Sequence, residues 1–232
     1  MNILTNMQVS IDKEGLYKQI GYKDISAIAP AVKESIEQLI SYGLKLIEPK
    51  LAVKRCDIEV QVDKNRILIE GDIYFNGEFI TKHLKNCTQI VIFLATVGPT
   101  ISKEIDEAFK ENDYLKAMVL DGLADRAIEN IIMQYWNQLV EDIQAEGLGI
   151  TGFINPGHLD FGVDQQRAVF KILDGSKIGL SLTDSCLIMP IKSASGLFGL
   201  GKGIGISKDN HNCQHCTIKD CPNRSSEYVI SK

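Results

Sequence analysis

Three cysteines near the C-terminus, Cys213, Cys216 and Cys221, stand in the pattern Cys-x2-Cys-x4-Cys-Pro. Two thiolates two residues apart can chelate one ion, and a third soon after adds another soft ligand. His211, His215, Cys186 or a group from outside the chain would complete the set. Structural zinc accepts any of these. An iron–sulfur cluster wants thiolates, and a Cys-Pro ending occurs in iron–sulfur loops of other spacing. Spacing alone leaves both metals open.

A second chemical signal lies upstream. Asn155-Pro156-Gly157-His158 is a turn pattern, and residues 193–203 hold four glycines and two serines. Gly199, Gly201 and Gly203 are spaced by two, without the strand-to-helix pattern of a phosphate loop. A sharp bend or a close backbone approach is the plain explanation. A glycine-rich edge can also let a flat ligand lie against main-chain groups. His158 is a ligand contact or a solvated loop residue. Asp121, Asp125 and Glu129 follow at i, i+4, i+8, where like charges repel on a helix. Arg126, solvent or a ligand must compensate them. No Ser/His/Asp nucleophile arrangement is present. Cys56 and Cys87 fit ordinary buried thiols.

The elements that must position these residues follow from periodicity. Residues 25–47 predict an amphipathic helix with Pro30 in its first turn. Residues 58–69 predict a hairpin through Asp63-Lys64-Asn65, and residues 73–75 and 79–80 add strands to the same sheet. The run from Gln89 to Ala95 predicts a central strand, followed by a turn and a helix from Thr100 or Ser102. Residues 114–144 predict the longest helix, buried on two sides. Beyond it come a short helix at 165–173, a strand at 178–180 and an extended 187–190. Strands and helices in this order give an α+β fold.

Composition narrows the class. The chain has 232 residues, 44% hydrophobic and 24% charged, as in ordinary globular proteins. A formal net charge of -5 and the lack of a Lys/Arg-rich run argue against nucleic acid as partner. The longest apolar run, residues 90–97, is too short for a bilayer span, which needs roughly 20 residues, so no membrane partner is expected. The N-terminus lacks a basic region leading into an apolar core, which predicts a cytoplasmic chain.

Three segments in order resemble the activation domain of cobalamin-dependent methionine synthase, especially its short stand-alone relatives in anaerobic bacteria. They are Asn112-Asp113-Tyr114 with Leu123-Ala124-Asp125-Arg126-Ala127-Ile128-Glu129; Asn155-Pro156-Gly157-His158 with Gln165-Gln166; and Leu182-Thr183-Asp184-Ser185, Met189-Pro190 and Ser193-Ala194-Ser195-Gly196. They span residues 85–200. The cysteine tail ending in Arg224 resembles that of the stand-alone relatives. The resemblance implies a mixed antiparallel sheet with long helices that binds S-adenosylmethionine in a shallow groove. It implies docking on a cobalamin-binding protein or domain of a methyltransferase, whose cob(II) form is restored by one-electron reduction and methyl transfer. A flavodoxin or ferredoxin is the electron donor this implies.

Carried over residue by residue, Glu129, Asn155, Pro156, Gly157, His158, Asp184, Ser195 and Gly196 are the ligand-binding candidates, and Cys213, Cys216 and Cys221 the metal ligands. No catalytic residue is assigned. Two positions depart from the pattern: Phe153 replaces an arginine that meets the methionine carboxylate, and His158 replaces a tyrosine. Loss of that arginine would cost about 1.5–3 kcal/mol of binding. The chain also lacks the Asp-x-His-x-x-Gly loop of cobalamin domains, since Asp209-Asn210-His211-Asn212-Cys213 fails at the glycine. The expected organisation is a helix and hairpin region at 1–84 within the same domain, an activation-like core at 85–207 and a cysteine-rich tail at 208–232. The expected role is a trans-acting reactivation module, or else a non-catalytic docking or small-ligand module with a zinc tail.

Overall fold

The computed structural model describes residues 1–22 and 24–207. The chain opens with β1 (Asn2–Leu4), α1 (Lys13–Gln19) and α2 (Pro30–Leu44), then β2 (Lys50–Asp57), β3 (Glu59–Gln61), β4 (Arg66–Leu68), β5 (Tyr74–Asn76) and α3 (Glu78–His83). It continues through β6 (Gln89–Thr96), α4 (Pro99–Lys110), α5 (Tyr114–Ala145), β7 (Gly149–Ile150), α6 (Gln166–Ile172), β8 (Ser181–Leu182), β9 (Ile188–Met189) and β10 (Ser193–Gly201). The architecture is mixed α+β, as the sequence predicts.

A five-stranded antiparallel sheet in the order β1-β2-β6-β10-β7 forms the centre. Helices and smaller sheets cover both its faces, which is why β6 reads as an unbroken apolar run. Alternation sorts the strands cleanly. Leu51, Val53, Val91, Phe93, Ala95, Phe198 and Leu200 join the core shared with α1, α2, α4 and α5. Ala52, Cys56, Ile90, Ile92, Leu94 and Leu197 join the second core, with Ile67, Phe75, Phe161, Ile80 and Val169. We call these the α5 face and the α6 face.

The long helix α5 has 32 residues and Asp113 caps its start, its carboxylate accepting from Lys116 N at 3.1 Å. Its buried residues include Leu120, Leu123, Ala124, Ala127 and Ile131 together with Gly122 and Ile132, while Met118 is exposed. The N-terminal segment lies along it: Ser10 N donates to Asn130 Oδ1 at 2.9 Å and Gln134 Nε2 to Gln8 O at 2.7 Å.

Several local expectations are corrected. Residues 79–80 belong to a helix, because Gly77 and Asp160 create a helix start there. Residues 73–75, by contrast, do add a strand to the hairpin's sheet, β5 pairing with β4 in the order β3-β4-β5. The strand expected at 178–180 does not form: Ile178 ends a 3-10 turn that begins at Gly175, and the next strand starts at Ser181. The predicted helix from residue 25 begins at Pro30, preceded by a 3-10 turn capped by Asp24. Residues 193–201, whose glycines left a sharp bend or a close backbone approach open, form the inner strand β10. A Cβ at Gly199 would lie 2.3 Å from Leu84 Cδ2 and 2.6 Å from Cys87 Sγ, and one at Gly201 2.3 Å from Asn86 O. Close approach is what these glycines serve.

Candidate functional site

The site is built on the outer edge of β10. β7 pairs only with Leu200 and Gly201, and residues 151–154 continue along that edge. Thr151 N donates to Gly199 O, and Ile154 and Leu197 exchange N–H···O bonds at 2.9 and 2.8 Å. Between them Gly152 and Phe153 together oppose Phe198, a β-bulge. The extra residue turns Phe153 onto the α5 face, where its ring stands edge-on to Phe93 and Phe198 at 6.0 and 6.1 Å. Gly196 lies against the same ring system, since a Cβ there would sit 2.6 Å from Phe93 Cζ.

After Ile154 the chain leaves the edge in the turn at Pro156 and Gly157. Gly157 N donates to Phe161 O at 2.7 Å and His158 N to Asn155 O at 3.2 Å. Asn155 and Gly157 are exposed and Pro156 is buried. The His158 ring stands edge-on to Phe79 at 5.2 Å. Asp160 fixes the turn to α3, its carboxylate accepting from Glu78 N at 2.6 Å and Phe79 N at 3.1 Å. That is a helix cap supplied from across the fold.

Adjacent residues of α6 tie the other segments together. Gln166, itself buried, accepts from Ser195 Oγ at 2.8 Å. Arg167 Nη2 donates to the Asp184 carbonyl at 2.5 Å, and Gln165 Oε1 accepts from Asn76 N at 3.1 Å. Asp184 is exposed in the loop 183–187, which Leu187 N closes by donating to Thr183 Oγ1 at 2.9 Å. Cys186 in that loop is buried with φ 65°. Alternation directs the Ser195 side chain to the α6 face.

Glu129 stands on α5, exposed, with Arg126 Nη1 at 3.3 Å. Arg126 also donates to Gln19 Oε1 at 3.0 Å. Lys192 compensates the other two acids, its Nζ 2.8 Å from Asp121 and 2.7 Å from Asp125. Burial pulls the Lys192 pKa down, but the bonds to both carboxylates more than reverse this and hold it above the ordinary lysine range. Gln19 Nε2 adds a bond to Asp125 at 3.1 Å.

The fold therefore brings Asn155, Pro156, Gly157 and His158 to the edge beside Ser195 and Gly196, and links Asp184 to Ser195 through α6. Glu129 lies on the other face of the sheet, the face that Phe153 joins. Residues that sequence reasoning missed are Lys192, Arg167 and Asp160; Gln166 stood in a resembling segment without a role. A charge balance along α5 demanded a cation, but Lys192 is 67 residues from Asp125. Cys213, Cys216 and Cys221, with His211, His215 and Arg224, lie outside the described residues. Among the described residues no group of three or more His, Cys, Asp and Glu could hold a metal, and no helix is long and apolar enough to cross a membrane.

No family model matches the sequence, and no curated protein matches it by sequence. The class is set by fold: a solved structure described as the MetH reactivation domain bound to AdoHcy superposes with a TM-score of 0.62, covering 86% of this chain and 78% of that one. Identity is 14%, so the shared property is the fold. This chain is similar in fold to that MetH reactivation domain.

Proposed function

We propose that this chain is a trans-acting reactivation module for a cobalamin-dependent methionine synthase or related corrinoid methyltransferase, supporting reductive methylation of cob(II)alamin with S-adenosylmethionine. The observation that carries it is the fold match over 86% of the chain to a domain solved with AdoHcy. The methyl donor lies along the outer edge of β10, lined by Asn155, Pro156, Gly157, His158, Ser195 and Gly196, with Asp184 and Glu129 at its margins. The corrinoid arrives on a partner, and the electron comes from a flavodoxin- or ferredoxin-type donor. Cys213, Cys216 and Cys221 supply thiolates that suit zinc or an iron–sulfur cluster.

The test combines this chain with a methionine synthase stopped before its activation domain, in the cob(II) form, with reductant and S-adenosylmethionine. Growth of the methylcobalamin spectrum, dependent on all components, is expected. A spectrum that stays cob(II) with the chain present overturns the proposal.

Phe153 favours a second function, a docking or small-ligand module without methyl transfer. Its ring is packed among Phe93 and Phe198, so no guanidinium stands at that position to meet a methionine carboxylate. Calorimetry discriminates: no heat with millimolar S-adenosylmethionine supports this function over methyl donation.

A further inference from the structure

Asn76-Gly77 is the single Asn-Gly pair in the chain, and it stands at the junction of β5 and α3. In such a pair the glycine nitrogen attacks the asparagine side-chain carbonyl, since no Cβ on the glycine hinders the close approach. An N–C bond forms, the side-chain amide C–N bond breaks, and ammonia leaves with the glycine proton. Water then opens the five-membered imide at either carbonyl. One product is aspartate. The other is isoaspartate, in which the main chain runs through the former side chain.

The junction demands its glycine. Gly77 holds φ 145°, and a Cβ there would lie 3.2 Å from both Asp160 O and Asp160 Oδ1. Asn76 is exposed, so water reaches its side chain. The fold nevertheless holds the attacking atom back. Gly77 N donates to Asn65 O at 2.9 Å, and Asn76 N to Gln165 Oε1 at 3.1 Å. Those bonds fix Asn76 in the extended geometry that ends β5. Ring closure requires a large turn about its Cα–C bond, away from the strand value, and loss of the Gly77 proton. The bond to Asn65 must break first.

We propose that Asn76-Gly77 is a spontaneous modification site gated by local opening, and that its isoaspartate product uncouples the turn at 156–161 from α3. The uncoupling follows from where the new atom falls. Isoaspartate adds one main-chain bond, about 1.5 Å, between two anchored points, Asn76 N on Gln165 and Gly77 N on Asn65. Pairing of Asn76 with Arg66 of β4 keeps β5 from sliding to absorb it. The Glu78 and Phe79 amides are then carried off the Asp160 carboxylate, which holds them in the unmodified chain. This chemistry is independent of the reactivation function and of any ligand.

The test ages the full chain and Asn76→Gln, whose longer side chain closes a ring far more slowly, at mildly alkaline pH with and without urea. Peptide mapping measures isoaspartate at position 76. Wild type is expected to convert about tenfold or more faster in urea, because native opening is rare, while Asn76→Gln stays unconverted in both. Equal rates with and without urea overturn the gate, and a lack of isoaspartate in urea overturns the site. The isoaspartate form, separated by ion exchange from long-aged native protein, is expected to show displaced Gly157 and Phe161 amide signals in NMR. Asn76→Asp, which adds the charge without the extra bond, is expected to leave them in place. Signals unmoved in the isoaspartate form, or moved equally in Asn76→Asp, overturn the uncoupling.

Discussion

A lysine whose side chain is 12% exposed keeps its charge only where neighbouring carboxylates offset the loss of hydration. Lys192 has two, and in turn it relieves repulsion between Asp121 and Asp125 one helical turn apart. Lys192→Met is expected to destabilise the fold by about 1–3 kcal/mol, measured by chemical unfolding at pH 7. Because the folded-state pKa is raised, this contribution is present below the unfolded pKa and fades as pH rises through the folded value. The gap between wild type and variant should hold from pH 7 to about 10 and narrow above it. Burial lifts the thiols of Cys56 and Cys87 to about 11, with a bond to Glu70 adding to the Cys56 shift. Iodoacetamide at pH 8 should leave both unmodified in the native protein and label both in urea. At the same scale the sequence stated the problem of Asp121, Asp125 and Glu129 but hid half its answer. Arg126 was visible as a neighbour of Glu129, whereas Lys192 reaches its partners only through the tertiary fold.

Strand β10 shows why element identity was partly illegible. Alternating glycines mimic a loop in composition, yet here each missing Cβ admits a neighbour. Gly201→Ala would press a methyl onto the Asn86 carbonyl, a backbone atom that cannot rotate away. A loss of about 1–3 kcal/mol is expected in thermal unfolding. The strand β6 and helix α5 were legible because their patterns are long and tertiary contacts reinforce local preference. α1, only seven residues long with Leu16 and Tyr17 buried, carries too little periodicity to be read. The bulge at Gly152 and Phe153 was also invisible, since it depends on the register between distant segments. Phe153→Arg tests that element: it should cost about 2–4 kcal/mol by removing a packed aromatic. If the methyl-donor function holds, the same variant should tighten S-adenosylmethionine binding in calorimetry.

Over the whole molecule, 14% identity preserves the fold of a reactivation domain because two apolar cores on a two-sided sheet tolerate exchange of one hydrophobic residue for another. The source of the electron belongs to this scale as well. Anaerobically purified full chain should show broad visible absorption if the cysteine tail carries an iron–sulfur cluster, and a colourless protein with one zinc removes that role. One long-range contact also makes the turn observable at a distance. The Asp160 carboxylate grips the amides of Glu78 and Phe79, about eighty positions earlier in the chain. Any event that loosens the turn must release those two protons to solvent. Deuterium uptake at Glu78 and Phe79 is thus a built-in gauge of the turn, readable without a label on the site itself.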